Sequence, residues 1–166
     1  MFEKGEMVYY GTAGVCKVSD ICKSPFEKND DRLYYMLEPL DNMAGTVIYV
    51  PVDQEKVTLR PIMTASEAEE LIASVDSIHP IEVSNEKYRR EEYKNAFREG
   101  TPFSLARIVK TANERKRNAV KAKRRLYDTD LEFDKAARRV LSGELSCALG
   151  TSAEEAEKLI DASMKK

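Results

Sequence analysis

The chain has 166 residues, 42% of them hydrophobic and 34% charged, with a formal net charge of −2. That balance excludes a disordered or low-complexity chain and suits one domain or two small ones. No apolar run approaches the roughly 18 residues of a membrane-spanning helix, and the opening "MFEKGEMVYY" lacks the basic-then-apolar order of a signal peptide, so a cytoplasmic location is expected.

The first 60 residues read as short strands separated by turn chemistry. "EMVYY" ends at Gly11, "GTAG" is a loop, and "GVCKVSDICK" is rich in strand formers. "SPFEKNDD" is a polar turn. "RLYYMLEPL" and "GTVIYVPV" are two more strands, with hairpin chemistry in the intervening "DNMAG". "KVTLRPI" supplies a fifth strand, ended by Pro61. Five short antiparallel strands in so few residues predict a small barrel or half-barrel, since a sheet of that size covers its apolar face only by curling.

From residue 64 the apolar period becomes helical. "TASEAEELIASV" starts with one of two capping boxes, Thr64 with Glu67 or Ser66 with Glu69, and presents Ala68, Leu71, Ile72 and Val75 on one face. "DSIHPIEV" is a linker, because Pro80 disfavours helix at His79. A second helix is expected from Ser84 to Glu99, stopping at Gly100. A third follows Thr101 with Pro102 in its first turn, buries Leu105, Ile108, Val109, Ala112, Ala119 and Val120, and runs to residue 125. "DTDLEFDKAARRVLSGELSCALG" is a fourth, with Ala137, Val140, Leu141, Leu145 and Ala148 inward. "TSAEEAEKLIDASM" is a fifth, capped by Ser152 with Glu155. The expected fold is therefore α+β in two small domains: a five-stranded β-barrel or half-barrel over 1–62 and an all-α domain over 63–166.

Catalysis and metal binding have little to stand on. Cys16, Cys22 and Cys147 are odd in number and lack metal-ligand spacing, so reduced packing thiols are expected. In one strand Cys16 and Cys22 would share a face, too far apart to bond. His79 is the single histidine, which removes a histidine-based metal site or triad. No Gly-rich phosphate loop precedes a helix and no nucleophile–base pair stands out. The reading is a non-enzyme without cofactor, metal or small-molecule substrate.

Charge is the informative property. Residues 1–80 hold 7 basic and 14 acidic side chains, whereas residues 81–166 hold 20 and 15. Between Lys87 and Arg125 there are 14 basic and 4 acidic residues, densest in "NERKRNAVKAKRR" at 113–125. That stretch reads as a solvated helix face, a nuclear-type address or a surface that holds phosphates. On one helix Arg107, Lys110, Arg117, Lys121 and Arg124 would form a stripe away from the apolar face. Glu114 alone interrupts the charge after Glu99, so local acid–base pairing is absent and a polyanion such as nucleic-acid backbone is favoured. Tyr93 and Phe97 fall at core spacing; Tyr88, beside Arg89 and Arg90, is the better-placed aromatic for nucleic acid.

Phe2, Gly5, Val8, Tyr9 or Tyr10, Gly14 and Val15 resemble the opening of the CarD/CdnL family, although Gly11 stands where that family often has proline. "YVPVDQEKVTLRPIMT" is similar to the end of that family's barrel, and "GELSCALG" to a segment of its penultimate helix. The resemblance implies a bacterial, nucleoid-associated transcription initiation regulator. Its Tudor-like domain would dock on the RNA polymerase β subunit, as in transcription-repair coupling factor. Its helical domain would contact promoter DNA at the upstream edge of the bubble and stabilise the open complex without reading an operator. The implied docking surface is Lys23, Arg32, Ile48, Tyr49, Val50 and Pro51. The implied DNA surface is Tyr88, Arg89, Arg90, Arg107, Lys110, Arg117, Lys121, Arg124 and Arg125. Alignment on Gly100 puts Glu86 where many members have a wedging Trp, and this chain has no Trp, so the expected DNA contact is electrostatic. The alternative is a protein-interaction adaptor whose β module docks on a partner and whose basic helix face is merely solvated.

Overall fold

A computed structural model describes residues 1–41, 45–55 and 58–165. The chain divides into two compact units, Met1–Ile62 and Met63–Lys166. The "DNMAG" hairpin and the first two residues of "KVTLRPI" lie, wholly or mainly, outside the described residues.

In the first unit, β1 (Met7–Tyr10), β2 (Gly14–Lys23), β3 (Leu33–Pro39), β4 (Ile48–Pro51) and β5 (Leu59–Pro61) form one antiparallel sheet in the order β4-β3-β2-β1-β5. The "GTAG" loop is a short 3-10 turn over Gly11–Ala13 that leads directly into β2. Val8, Cys16, Val18, Tyr35, Leu37 and Val50 make the core, and Phe2, Ile21, Ile48 and Leu59 pack against it. Loss of one such buried aliphatic to Ala costs about 2–5 kcal/mol, a large part of a small unit's stability.

A bulge between Val18 and Asp20 corrects the expectation for the cysteines. Ser19 is the extra residue, and its hydroxyl donates to the Met36 carbonyl at 3.0 Å. One inserted residue inverts the inward–outward alternation beyond it. Cys16 and Val18 point inward before the bulge and Ile21 after it, so Cys22 lies on the opposite face from Cys16. Burial, followed by the charge of Asp41, pushes the Cys16 thiol up to about 12, which leaves it protonated and inert.

The second unit contains α1 (Ala65–Ser74), α2 (Arg89–Glu99), α3 (Pro102–Lys121), α4 (Asp128–Leu149) and α5 (Ala153–Ser163). Of the two capping boxes weighed for α1, Thr64 with Glu67 forms. Thr101 caps α3 with Pro102 in its first turn, and Ser152 with Glu155 caps α5. The second helix begins later than expected: Asn85 caps a 3-10 turn over Glu86–Tyr88, and α2 starts at Arg89. Gly100 and Gly150 close α2 and α4 in the left-handed conformation that glycine adopts without strain.

The core lies between α3 and α4, with α2 against α3, α5 against α4, and α1 against both α4 and α5. Leu105, Ile108, Val109, Leu141, Leu145, Tyr93 and Ile160 are buried there. Val120 is not part of it, being 71% exposed on the last turn of α3. Glu144, from "GELSCALG", is fully buried inside this apolar stripe and accepts the Met63 amide at 2.8 Å. A buried carboxylate persists only where donors meet it, and here it fixes the start of the helical unit. Among the described residues no helix is long and apolar enough to cross a membrane.

Candidate functional site

On the β unit, the nominated docking strand splits by its own alternation. β4 pairs with β3 as Tyr34 to Pro51, Tyr35 to Val50, Met36 to Tyr49 and Leu37 to Ile48. Val50 is 2% exposed and Ile48 packs on the core, so these two side chains face inward. Tyr49 and Pro51 occupy the opposite face. The strand ends the sheet, and its second edge has no strand partner among the described residues, a standard template for main-chain recognition.

The same outer face carries an aromatic cluster that sequence reasoning missed. Phe26 is 70% exposed, and its ring meets Tyr49 at 5.7 Å and Tyr34 at 6.1 Å, both edge-on. Ser24 holds the turn in place by accepting the amides of Phe26 and Glu27 at 3.3 Å. The available signal was a lone Phe within the polar "SPFEKNDD" turn. The nominated cations sit beside this cluster but are already paired. Lys23 reaches Asp31 at 2.6 Å, and Arg32 reaches Asp30 at 2.8 Å. The hydrogen bond from Arg32 holds the Asp30 carboxyl below its ordinary range, against a small opposing effect of desolvation.

In the helical unit, the basic stripe does not run as expected. α3 ends at Lys121, and Lys123 adopts a left-handed conformation with φ 51°. The Lys123 amide then bonds to the Val120 carbonyl at 3.1 Å and the Arg124 amide to Ala119 at 3.0 Å, the Schellman pattern of a helix end. Arg124 and Arg125 therefore leave the helix and lie in the irregular link to α4. Several upstream cations are engaged inside the unit. Arg107 donates to the His79 carbonyl at 3.1 Å, Lys110 to the carbonyls of Val75 and Asp76 at 2.9 Å, and Arg117 to that of Met164. These side chains tie α3 to the chain after α1 and to the end of α5.

The acids absent from the belt itself arrive from other elements. Arg90 pairs with Glu132 at 2.8 Å and Arg125 with Asp128 at 3.1 Å, both from α4. Arg89 is 4% exposed and pairs with Glu86; its Nε lies 3.8 Å from Asp130 without a hydrogen bond. Arg115 reaches Asp130 at 3.0 Å and Glu86 at 3.3 Å. The Tyr127 ring lies over this cluster, 5.6 Å from the Arg89 guanidinium and 5.9 Å from that of Arg115. Glu86 thus holds two arginines inward. Desolvation opposes its ionised form, but Arg89 and Arg115 together bring its carboxyl below the ordinary range.

Tyr88 stays half exposed at the end of the 3-10 turn, whereas Tyr93 and Phe97 are buried, Tyr93 stacking on Phe133 at 5.1 Å. Lys121, Lys123 and Arg124 are exposed and make no side-chain hydrogen bond or ion pair among the described residues. Beside them Lys116, Val120, Lys121 and Met164 border a groove of about 440 Å³. The exposed positive charge is therefore concentrated at the end of α3 and does not extend along its length. Among the described residues no group of three or more His, Cys, Asp or Glu is arranged for a metal ion.

No curated protein matches the chain. Residues 2–63 match the CarD-like/TRCF RID domain family. The match spans the five strands, the exposed edge of β4 and the aromatic cluster of Phe26, Tyr34 and Tyr49. The N-terminal unit is accordingly similar to CarD-like/TRCF RID domains.

Proposed function

We propose that the chain is a transcription initiation regulator: the β unit docks on the RNA polymerase β subunit, and the helical unit contacts promoter DNA near the upstream edge of the bubble and prolongs the open complex. The observation that carries this reading is a polymerase-interacting domain joined to a helical unit with a cluster of exposed, unpaired cations, Lys121, Lys123 and Arg124, at the end of α3. Lys121, Lys123 and Arg124 supply phosphate contacts that position without reading bases. Tyr88 is the exposed aromatic beside Arg90, and with Glu86 in the place of Trp the contact is charge-driven.

A pull-down with the polymerase β lobe, followed by open-complex lifetimes with and without the protein, tests both halves. Binding to β and a longer lifetime are expected. Absence of β binding overturns the docking reading. If β binds while Lys121→Glu with Arg124→Glu leaves the lifetime unchanged, the DNA contact is wrong.

The internal engagement of Arg107, Lys110, Arg115 and Arg117 favours a second reading, a polymerase-docked adaptor whose remaining surface cations only solvate the helices. That adaptor binds β with the same affinity and has no effect on open-complex lifetime.

A further inference from the structure

Two helices of the second unit carry the opposite charge from the belt. Residues 64–78, containing α1, hold four acidic and no basic side chains; residues 152–163, containing α5, hold four acidic and one basic. Between these helices and the end of α4 runs a groove of about 560 Å³. Ile72, Ala73, Leu149, Leu159 and Ala162 give it an apolar lining, and Glu69 and Asp76 stand on the α1 side. Helical spacing puts Glu155 on the α5 stripe of Leu159 and Ala162, one turn earlier. Lys158 lies off that stripe and is paired with Glu154 at 3.3 Å. Lys110 approaches from α3, but its ammonium is committed to the carbonyls of Val75 and Asp76.

We propose that this groove is a docking site for a cationic amphipathic helix of a protein partner. Its apolar lining accepts aliphatic side chains at i, i+3 and i+4, and its carboxylates face the lysines or arginines that flank such a stripe. Nucleic acid is repelled by this face. The N-terminal unit is itself acidic, with 7 basic and 10 acidic residues over 1–62, and is not complementary to it. A second copy would offer the end of α3, where Val120 is a single large exposed apolar residue among cations, too little to fill a groove with five apolar positions. The site shares no residue with the proposed DNA or polymerase surfaces, so the outcome is independent of those readings.

The probe is a fluorescent peptide of about 18 residues, five helical turns, composed of Leu and Lys with the Leu on one face. Two controls accompany it: the same composition ordered so that the Leu share no face, and a Leu/Glu version of the patterned peptide. With the full chain, the patterned Lys peptide is expected to bind at least about tenfold more tightly than either control, equal to about 1.4 kcal/mol. Leu159→Lys and Glu69→Lys, each checked for an unchanged melting temperature, are expected to remove most of that preference. Equal binding of all three peptides overturns the proposal, as does patterned binding that neither variant weakens. Concentration-dependent self-association abolished by the same variants also overturns it, in favour of a second copy as occupant.

Discussion

The Tyr93 hydroxyl donates to Asp130 at 2.7 Å, joining α2 to the first turn of α4 inside the helical unit. Asp130 is fully buried and also accepts from Arg115, so this bond is one element of a closed polar cluster. Tyr93→Phe is expected to cost about 1–3 kcal/mol by leaving one acceptor of Asp130 short. Asp130→Ala is expected to cost more, about 3–5 kcal/mol, because Arg89 and Arg115 lose their buried counter-charge. Urea unfolding of each variant checks the order. Burial first, and then Asp130, raise the Tyr93 pKa well above its ordinary 10.0. The native state therefore keeps the proton where the unfolded chain releases it. Stability falls as pH rises above about 10, and the fall is shallower in Tyr93→Phe.

Lys123 occupies a left-handed position that an L-residue adopts at some cost. Lys123→Gly relieves that strain and is expected to stabilise the chain by about 0.5–1 kcal/mol. Thermal melting measures the gain. A loss of stability would mean that the lysine side chain contributes more to this turn than its backbone costs.

Phe26 is exposed, so Phe26→Ala is expected to change stability by less than about 0.5 kcal/mol. As an aromatic anchor it is expected to contribute about 2 kcal/mol or more to polymerase β binding, read by titration calorimetry with the β lobe. Val50→Ala should behave in the opposite manner, unfolding the β unit more readily because its side chain is in the core.

The cations in and just after α3 separate into two kinds that experiment distinguishes. Lys121→Glu with Arg124→Glu is expected to leave stability nearly unchanged, weaken DNA binding across sequences, and reduce the salt dependence of binding by about two phosphate contacts. Lys110→Met is expected to cost about 1–3 kcal/mol of stability through two lost carbonyl bonds. Its effect on DNA affinity should be small. Parallel melting curves and anisotropy titrations at several salt concentrations provide both readouts.

The change of apolar period near residue 64, the capping boxes and the glycine stops make the α+β fold legible in the sequence. The bulge was not legible, because Ser19 differs in no local way from its neighbours and only its pairing with β3 reveals the inserted residue. The belt was legible as composition but not as a surface. Asp130 and Glu132 neutralise Arg115 and Arg90 from across the fold, and a helical wheel of one segment contains neither of them. Backbone carbonyls of Val75, Asp76, His79 and Met164 are equally invisible to a count of charges. The aromatic cluster depends on Phe26 folding back over strands 8 and 23 residues further along the chain.

The inverted alternation after Ser19 also provides a spectroscopic handle. Cys16 is sealed in the core, with its thiol held protonated, while Cys22 pairs across to Tyr34 on the outer face. A maleimide dye at Cys22 would sit beside the aromatic cluster without entering the core. Its emission would report occupancy of that face in real time, turning a one-residue irregularity into the natural position for watching a partner arrive.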